Sequence, residues 1–180
     1  KCQEVKFIVG EATKLNELED NNFDLIYLVD VIHHIRDIEL LFKNIFRVLE
    51  KDGKLFIFSD SHEHIKNRLT TKYFPETLSY ELKRYQDKTE LINIAEKTAF
   101  SNLQSGQVEI GWDNNYGQKL IEIATKKGYS MFGFLTEEEI KNGIYKIKQD
   151  MENGINIKYH MKAPYVYAEK INKTKKCFLY

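Results

Sequence analysis

The chain has 180 residues, with 27 basic and 27 acidic side chains and no net charge. That length suffices for one domain with a sizeable core, and the missing basic excess argues against a nucleic-acid partner. No apolar run approaches the roughly 20 residues of a membrane span, and two cysteines, Cys2 and Cys177, in a lysine-rich chain suit a reducing cytoplasm.

Residues 5–9 form a short apolar run closed by Gly10. Residues 25–29 form a second, bounded by Asp24 and Asp30, and residues 55–58 a third. Continuous rather than alternating apolar runs suit strands covered on both faces, as in parallel sheets. Between the second and third runs the pattern becomes helical. Asp37 can cap this helix, and Glu39 favours its positive end. Leu41, Ile45, Val48 and Leu49 share one face, and Gly53 follows as an αL stop. Strand, helix, strand with short connections makes a right-handed βαβ unit. Residues 61–86 are aromatic and charged, are interrupted by Pro75, and read as a helical lid or connector. Asp87-Lys88-Thr89-Glu90 has capping-box spacing and opens a helix with Leu91, Ile94, Ala95 and Thr98 on its face. Residues 108–112 alternate enough for a strand. A helix over residues 118–127 stops at Gly128. Thr136 and Glu139 form a second capping-box pattern, ahead of a helix with Ile140, Ile144, Ile147 and Met151 on one face. Residues 165–168 are the last strand candidate, and residues 172–180 a lysine-rich tail. With no repeat or linker, residues 1–180 read as one domain, with residues 113–154 a helical insertion before the last strand.

The stretch FDLIYLVDVIHHIRDIELLFKNIFRVLEKDGKLFIFSD (residues 23–60), with VKFIVGEATKL upstream, resembles the later half of the class I S-adenosylmethionine (SAM) methyltransferases, of the type 11 kind. The matching residues are Gly10-Glu11-Ala12, Phe23-Asp24, Asp30-Val31-Ile32-His33-His34, Arg47-Val48-Leu49 and Asp52-Gly53-Lys54-Leu55. The resemblance implies an α/β, Rossmann-like fold: a mostly parallel sheet with helices on both faces and an antiparallel last strand. It implies that Glu11 and Ala12 meet adenine and that the backbone at Asp30 and Val31 lines the methionine end of SAM, all on one cleft. The family's glycine-rich loop has no counterpart, since no Gly-x-Gly-x-Gly occurs among the nine glycines. Together with a start at Lys1, this gives the expectation of a C-terminal portion lacking the first strands, with weak or absent SAM binding. Residues 5–9 are then expected to pair against residues 25–29, or to leave an apolar edge open to a second copy.

His33 and His34 follow one expected strand, and His62 and His64 the next. All four fall on the carboxyl rim, where α/β folds place ligands. His34 or His62 is the candidate general base, because histidine titrates near neutrality. A metal site is an alternative on weak His-x-His spacing, and no metal ligand is assigned. The plainer reading packs His33 near the cofactor and leaves His62 and His64 solvated. His33, Tyr73, Tyr80, Tyr85 and Trp112 are candidate acceptor-binding residues, since aromatic walls suit apolar or cationic substrates. The function implied is methyl transfer to a small molecule. The alternative is a non-catalytic interaction module that keeps the fold without the cofactor site.

Overall fold

The computed structural model describes residues 6–171, Met161 by its backbone alone. Val5, Cys2, Cys177 and the lysine-rich tail lie outside the described residues.

The apolar runs around residue 40 build the first unit. Strand β1 (Phe23–Val29) and strand β2 (Leu49–Phe58) pair in parallel across helix α1 (Ile38–Val48). Asp37 caps α1 as its sequence predicts: Oδ1 accepts from the Leu40 N–H at 2.9 Å. Leu41, Phe42 and Ile45 bury its inner face against Leu55 and Ile57. Each such side chain contributes roughly 1.5–3 kcal/mol by leaving water. The helix stops at Val48, and Leu49 opens β2 rather than extending the helical face. The left-handed backbone falls on Asp52 (φ 63°), not on Gly53. Gly53 meets a different need, because a Cβ there would sit 2.9 Å from the Glu50 carbonyl oxygen.

Strand β3 (Ser101–Asp113) and strand β4 (Tyr159–Glu169) complete a sheet of order β1-β2-β4-β3. Strand β4 runs antiparallel to both neighbours, as expected of the last strand. The fold is Rossmann-like in its βαβ unit, and the sheet is mixed, with one parallel pair and two antiparallel pairs. A strand at residues 5–9 paired parallel to β1 would have made the two kinds of pair equal in number. Residues 6–9 take no strand conformation, and Phe7 and Val9 are exposed. They do not pair with β1, whose outer edge has no partner among the described residues.

Helix α1 and helix α5 (Lys88–Lys97) cover one face of the sheet, where Leu91, Ile94, Val166 and Ala168 join the core. The opposite face carries Leu25, Tyr27 and Val29, all exposed, beside Phe56, Phe58, Tyr165 and Tyr167. Asp87 does not cap α5. Its Oδ1 accepts instead from the His62 N–H at 3.0 Å, tying α5 to helix α2 (His62–Asn67).

A second core lies over the carboxyl rim. Helices α2, α3 (Leu69–Tyr73) and α4 (Leu78–Arg84) come from residues 61–86, and α6 (Gly117–Thr125) and α7 (Glu137–Glu152) from the later insertion. Phe74, Leu120, Phe132 and Ile147 pack together there, fully buried. The Thr136–Glu139 capping box forms as expected at the start of α7. No helix among the described residues is long and apolar enough to cross a membrane.

Candidate functional site

The carboxyl ends of β1 and β2 open into a cavity of about 750 Å³, roofed by α2, α4 and the loop before α7. Its floor begins at Asp30, held in the left-handed region (φ 50°) with its N–H on the Phe58 carbonyl. A 3-10 turn over Ile32–His34 follows, and the fully buried Ile32 pins that turn to the core. His33 and His34 therefore face the cavity. Burial, and then the charge of Asp60, raise the Asp30 carboxyl above its ordinary value.

His33 stacks on Tyr85 at 4.2 Å and lies tilted against His34 at 4.0 Å. Burial, with His34 and Arg84 nearby, pushes its pKa down to about 4. The ring is neutral at pH 7, and its Nδ1 is sealed without a partner. Tyr85 is raised well above the usual phenol range, first by burial and then by Glu81. His34 is exposed and borders the same space.

The wall opposite is an ion network. Asp60 Oδ1 meets His64 Nδ1 at 2.6 Å, and Asp60 Oδ2 accepts from Arg68 at 2.8 Å. Arg68 also donates to Glu81 at 2.6 Å, and Arg84 bonds the other oxygen of Glu81 at 2.9 Å. The Glu81 side chain is only 3% exposed and that of Arg68 only 11%. Burial pulls the Asp60 carboxyl up, but the bonds from His64 and Arg68 outweigh it and leave it below the usual range. At the far end Tyr116, Tyr129 and Tyr159 cluster, with Tyr116 and Tyr129 hydroxyls 3.1 Å apart. Lys162 is a further cation on the lining.

Residues 1–57 match the model of the methyltransferase domain family. Over 105 residues the chain is 32% identical to phosphoethanolamine N-methyltransferase 2 of Caenorhabditis elegans, covering 58% of this chain and 23% of that protein. Over 57 residues it is 44% identical to phosphoethanolamine N-methyltransferase 3 of Arabidopsis thaliana, covering 32% and 11%. The chain thus spans less than a quarter of the length of either curated relative. In fold it superposes on a protein assigned as a methyltransferase of an antibiotic biosynthesis pathway from Anabaena variabilis. The TM-score is 0.71 at 17% identity, over 89% of this chain and 72% of that one. The likeness to class I SAM-dependent methyltransferases holds.

Of the methyltransferase residues named from sequence, Asp30, His33, His34 and Tyr85 line the cavity. The others do not. Glu11 and Ala12 are exposed in a separate turn, where Glu11 pairs with Lys14 and Thr13. Neither lines the cavity that Asp30 lines. Val31 points outward at the start of the 3-10 turn. His62 is not solvated; its Nε2 lies 2.8 Å from the Tyr85 carbonyl, away from the cavity. Tyr73 is buried in the second core and bonds Asp150. Tyr80 stacks on Phe134, and Trp112 stacks on His160 along β3. His64, read as solvated, is a half-buried member of the wall instead. The wall residues Asp60, His64 and Arg68 went unassigned, although their spacing of four is the spacing of neighbours on one helix face. Glu81 and the tyrosine cluster carry no such signal.

Proposed function

We propose that the chain supplies the acceptor side of a SAM-dependent methyl transfer to a small molecule. The observation that carries this reading is the 750 Å³ cavity at the carboxyl ends of β1 and β2, with Asp30 and His34 on its rim. A volume of that order suits a small ligand, with a few polar groups fixing orientation. His34 is the proposed base on the β1 side. The curated relatives act on phosphoethanolamine, so the acceptor proposed is a small phosphorylated amine. The Asp60 carboxylate suits the acceptor's ammonium, and Lys162 with the tyrosine hydroxyls suits a phosphate.

Whether these residues fit SAM differs between its two ends. The Asp30 carboxylate has no side-chain hydrogen bond among the described residues, which leaves it free for the methionine ammonium. Glu11 and Ala12 do not line the cavity that Asp30 lines, so within that cavity they offer the adenine end no seat. SAM supplies the methyl group. The chain's own part is to hold the acceptor, exclude water and accept its proton. Calorimetric titration of SAM into this chain is the test. The expected constant is millimolar rather than micromolar, about 4 kcal/mol weaker. Micromolar binding refutes the partial-site reading. No measurable binding of SAM or phosphoethanolamine refutes the enzyme reading. It favours the alternative of an interaction module, which the separation of Glu11 from Asp30 supports.

The proposal places the protein in the cytoplasm and extends to self-association. Strand β1 has an open edge and an exposed face with Leu25, Tyr27 and Val29. Such an edge templates pairing with a second copy. Light scattering behind a sizing column should return a dimer mass, and a monomer mass refutes this part.

A further inference from the structure

Five histidines occur in the chain, and the one with the most organised surroundings is His64. It stands on α2, whose first turn is fixed by the Ser61 cap, with Ser61 Oγ accepting from the His64 N–H at 3.2 Å. Its Nδ1 lies 2.6 Å from Asp60 Oδ1. Asp60 is in turn held by Arg68, and Arg68 by Glu81. Three groups in series thus fix one imidazole, all on side chains that are at most 20% exposed.

The chemistry of this series decides the tautomer. An ionised carboxylate only accepts hydrogen bonds, and His64 and Arg68 hold Asp60 below its ordinary pKa despite burial. The proton between Asp60 and His64 therefore sits on Nδ1. In the neutral ring the lone pair is then on Nε2. That atom has no hydrogen-bond partner among the described residues and is not sealed away as His33 Nδ1 is. His64 lines the 750 Å³ cavity.

We propose that His64, oriented by Asp60 and Arg68, is a second proton acceptor of this cavity besides His34, presenting Nε2 to the methyl acceptor. The proposal rests on reading the cavity as the acceptor pocket. In the step it performs, the N–H or O–H bond of the acceptor breaks and its electron pair stays on the acceptor atom. The proton bonds to Nε2, and the resulting imidazolium is paired with Asp60. His62 does not substitute, because it does not line the cavity and its ring is tied through Nε2 to the Tyr85 carbonyl. His33 is a poorer base, stacked and sealed.

The experiment is long-range proton–nitrogen correlation NMR on the 15N-histidine-labelled chain above neutral pH, with each histidine assigned by substitution. Asp60 contacts His64 directly, and the other charged and titratable groups lining the same cavity are Asp30, His33, His34, Arg68, Glu81, Lys162 and Tyr85, Tyr116, Tyr129 and Tyr159; all stay in place in the wild type. His64 should show the Nδ1–H tautomer, with Nε2 at the unprotonated shift. Asp60→Asn should move it toward the Nε2–H form that free side chains favour. Diethyl pyrocarbonate should then modify His64 readily and His62 slowly, read by peptide mass. A wild-type His64 in the Nε2–H form overturns the proposal, as does a tautomer unmoved by Asp60→Asn or a His64 inert to the reagent. His64→Asn keeps a donor near Nδ1 and should keep the urea midpoint, so a folding defect is distinguishable from loss of the base. The readouts need neither cofactor nor acceptor. Failure of SAM or phosphoethanolamine binding therefore strikes the functional reading and leaves the tautomer standing or falling alone.

Discussion

Replacing Arg68 by Met removes the one cation that both Asp60 and Glu81 touch. Met keeps much of the side-chain volume, so the change is chiefly electrostatic. The Glu81 side chain is 3% exposed and the Asp60 side chain 20%. Two carboxylates thus lose a partner in a poorly solvated place, where breaking a buried pair costs about 3–5 kcal/mol. The residual bonds place the cost near the lower end, since Glu81 keeps Arg84 and Asp60 keeps His64. The expected loss is about 3 kcal/mol, against a total stability of roughly 5–15 kcal/mol for a domain. Urea unfolding at pH 7, followed by tryptophan fluorescence and circular dichroism, reads it as a lower midpoint at unchanged slope. Adding Glu81→Met should recover part of the loss, because it removes a buried carboxylate at the cost of the one remaining bond from Arg84. A loss under about 1 kcal/mol, or a double variant weaker than the single one, refutes the view that this network is a desolvated unit.

Three further outcomes follow from single sites. Gly143→Ala on α7 gains about 1 kcal/mol of helix propensity, but its Cβ would lie 2.2 Å from the Phe74 ring. Phe74 is fully buried and edge-on to Phe132, so overpacking of roughly 1–3 kcal/mol wins; a raised urea midpoint refutes this. Thr136→Ala removes the hydroxyl half of the capping box and leaves the backbone N–H of residue 136 on Glu139; it should cost about 1 kcal/mol, read by thermal unfolding, and an unchanged midpoint counts against it. His33 has a folded pKa of about 4, below the roughly 6.5 of an unfolded chain. The unfolded state binds more protons in that window, so stability should fall as pH falls from about 6.5 toward 4. His33→Asn should flatten that slope, and an NMR titration of His33 near its ordinary value refutes the premise.

The local elements were legible where one residue's chemistry decides an end. Asp37 and Thr136 cap the helices they precede, and the apolar runs mark the two parallel strands of the βαβ unit, although β1 is covered on one face only, with Leu25, Tyr27 and Val29 exposed on the other. Legibility failed where another element competed for the same group. Asp87 has the spacing of a cap, yet the α2 backbone takes its carboxylate. Residues 6–9 have strand composition, but a strand exists only in a pair, and pairing is not written in the run itself. The αL position moved from Gly53 to Asp52 because the crowding against Glu50 claims the glycine.

The site divides along the same line. Asp30, His33 and His34 were legible because a strand end delivers them to the rim whatever the rest of the chain does. The opposite wall depends on where the lid lands. Glu81 and Arg68 look like solvated helix charges in a list of residues, and only the closing of α4 over α2 makes them a buried pair. His62 and His64 show how narrow the margin is. They are two residues apart on one short helix, so their side chains diverge. One turns to the Tyr85 carbonyl and the other to Asp60 and the cavity. Choosing His62 over His64 from sequence required knowing which face of α2 meets the sheet, and α2 has a single buried apolar residue, Ile65, to say so. A six-residue helix with one anchor has no readable apolar stripe. The carboxylate four residues before His64 was the better guide, since Asp60 lies just past the end of β2 and bonds both His64 and Arg68.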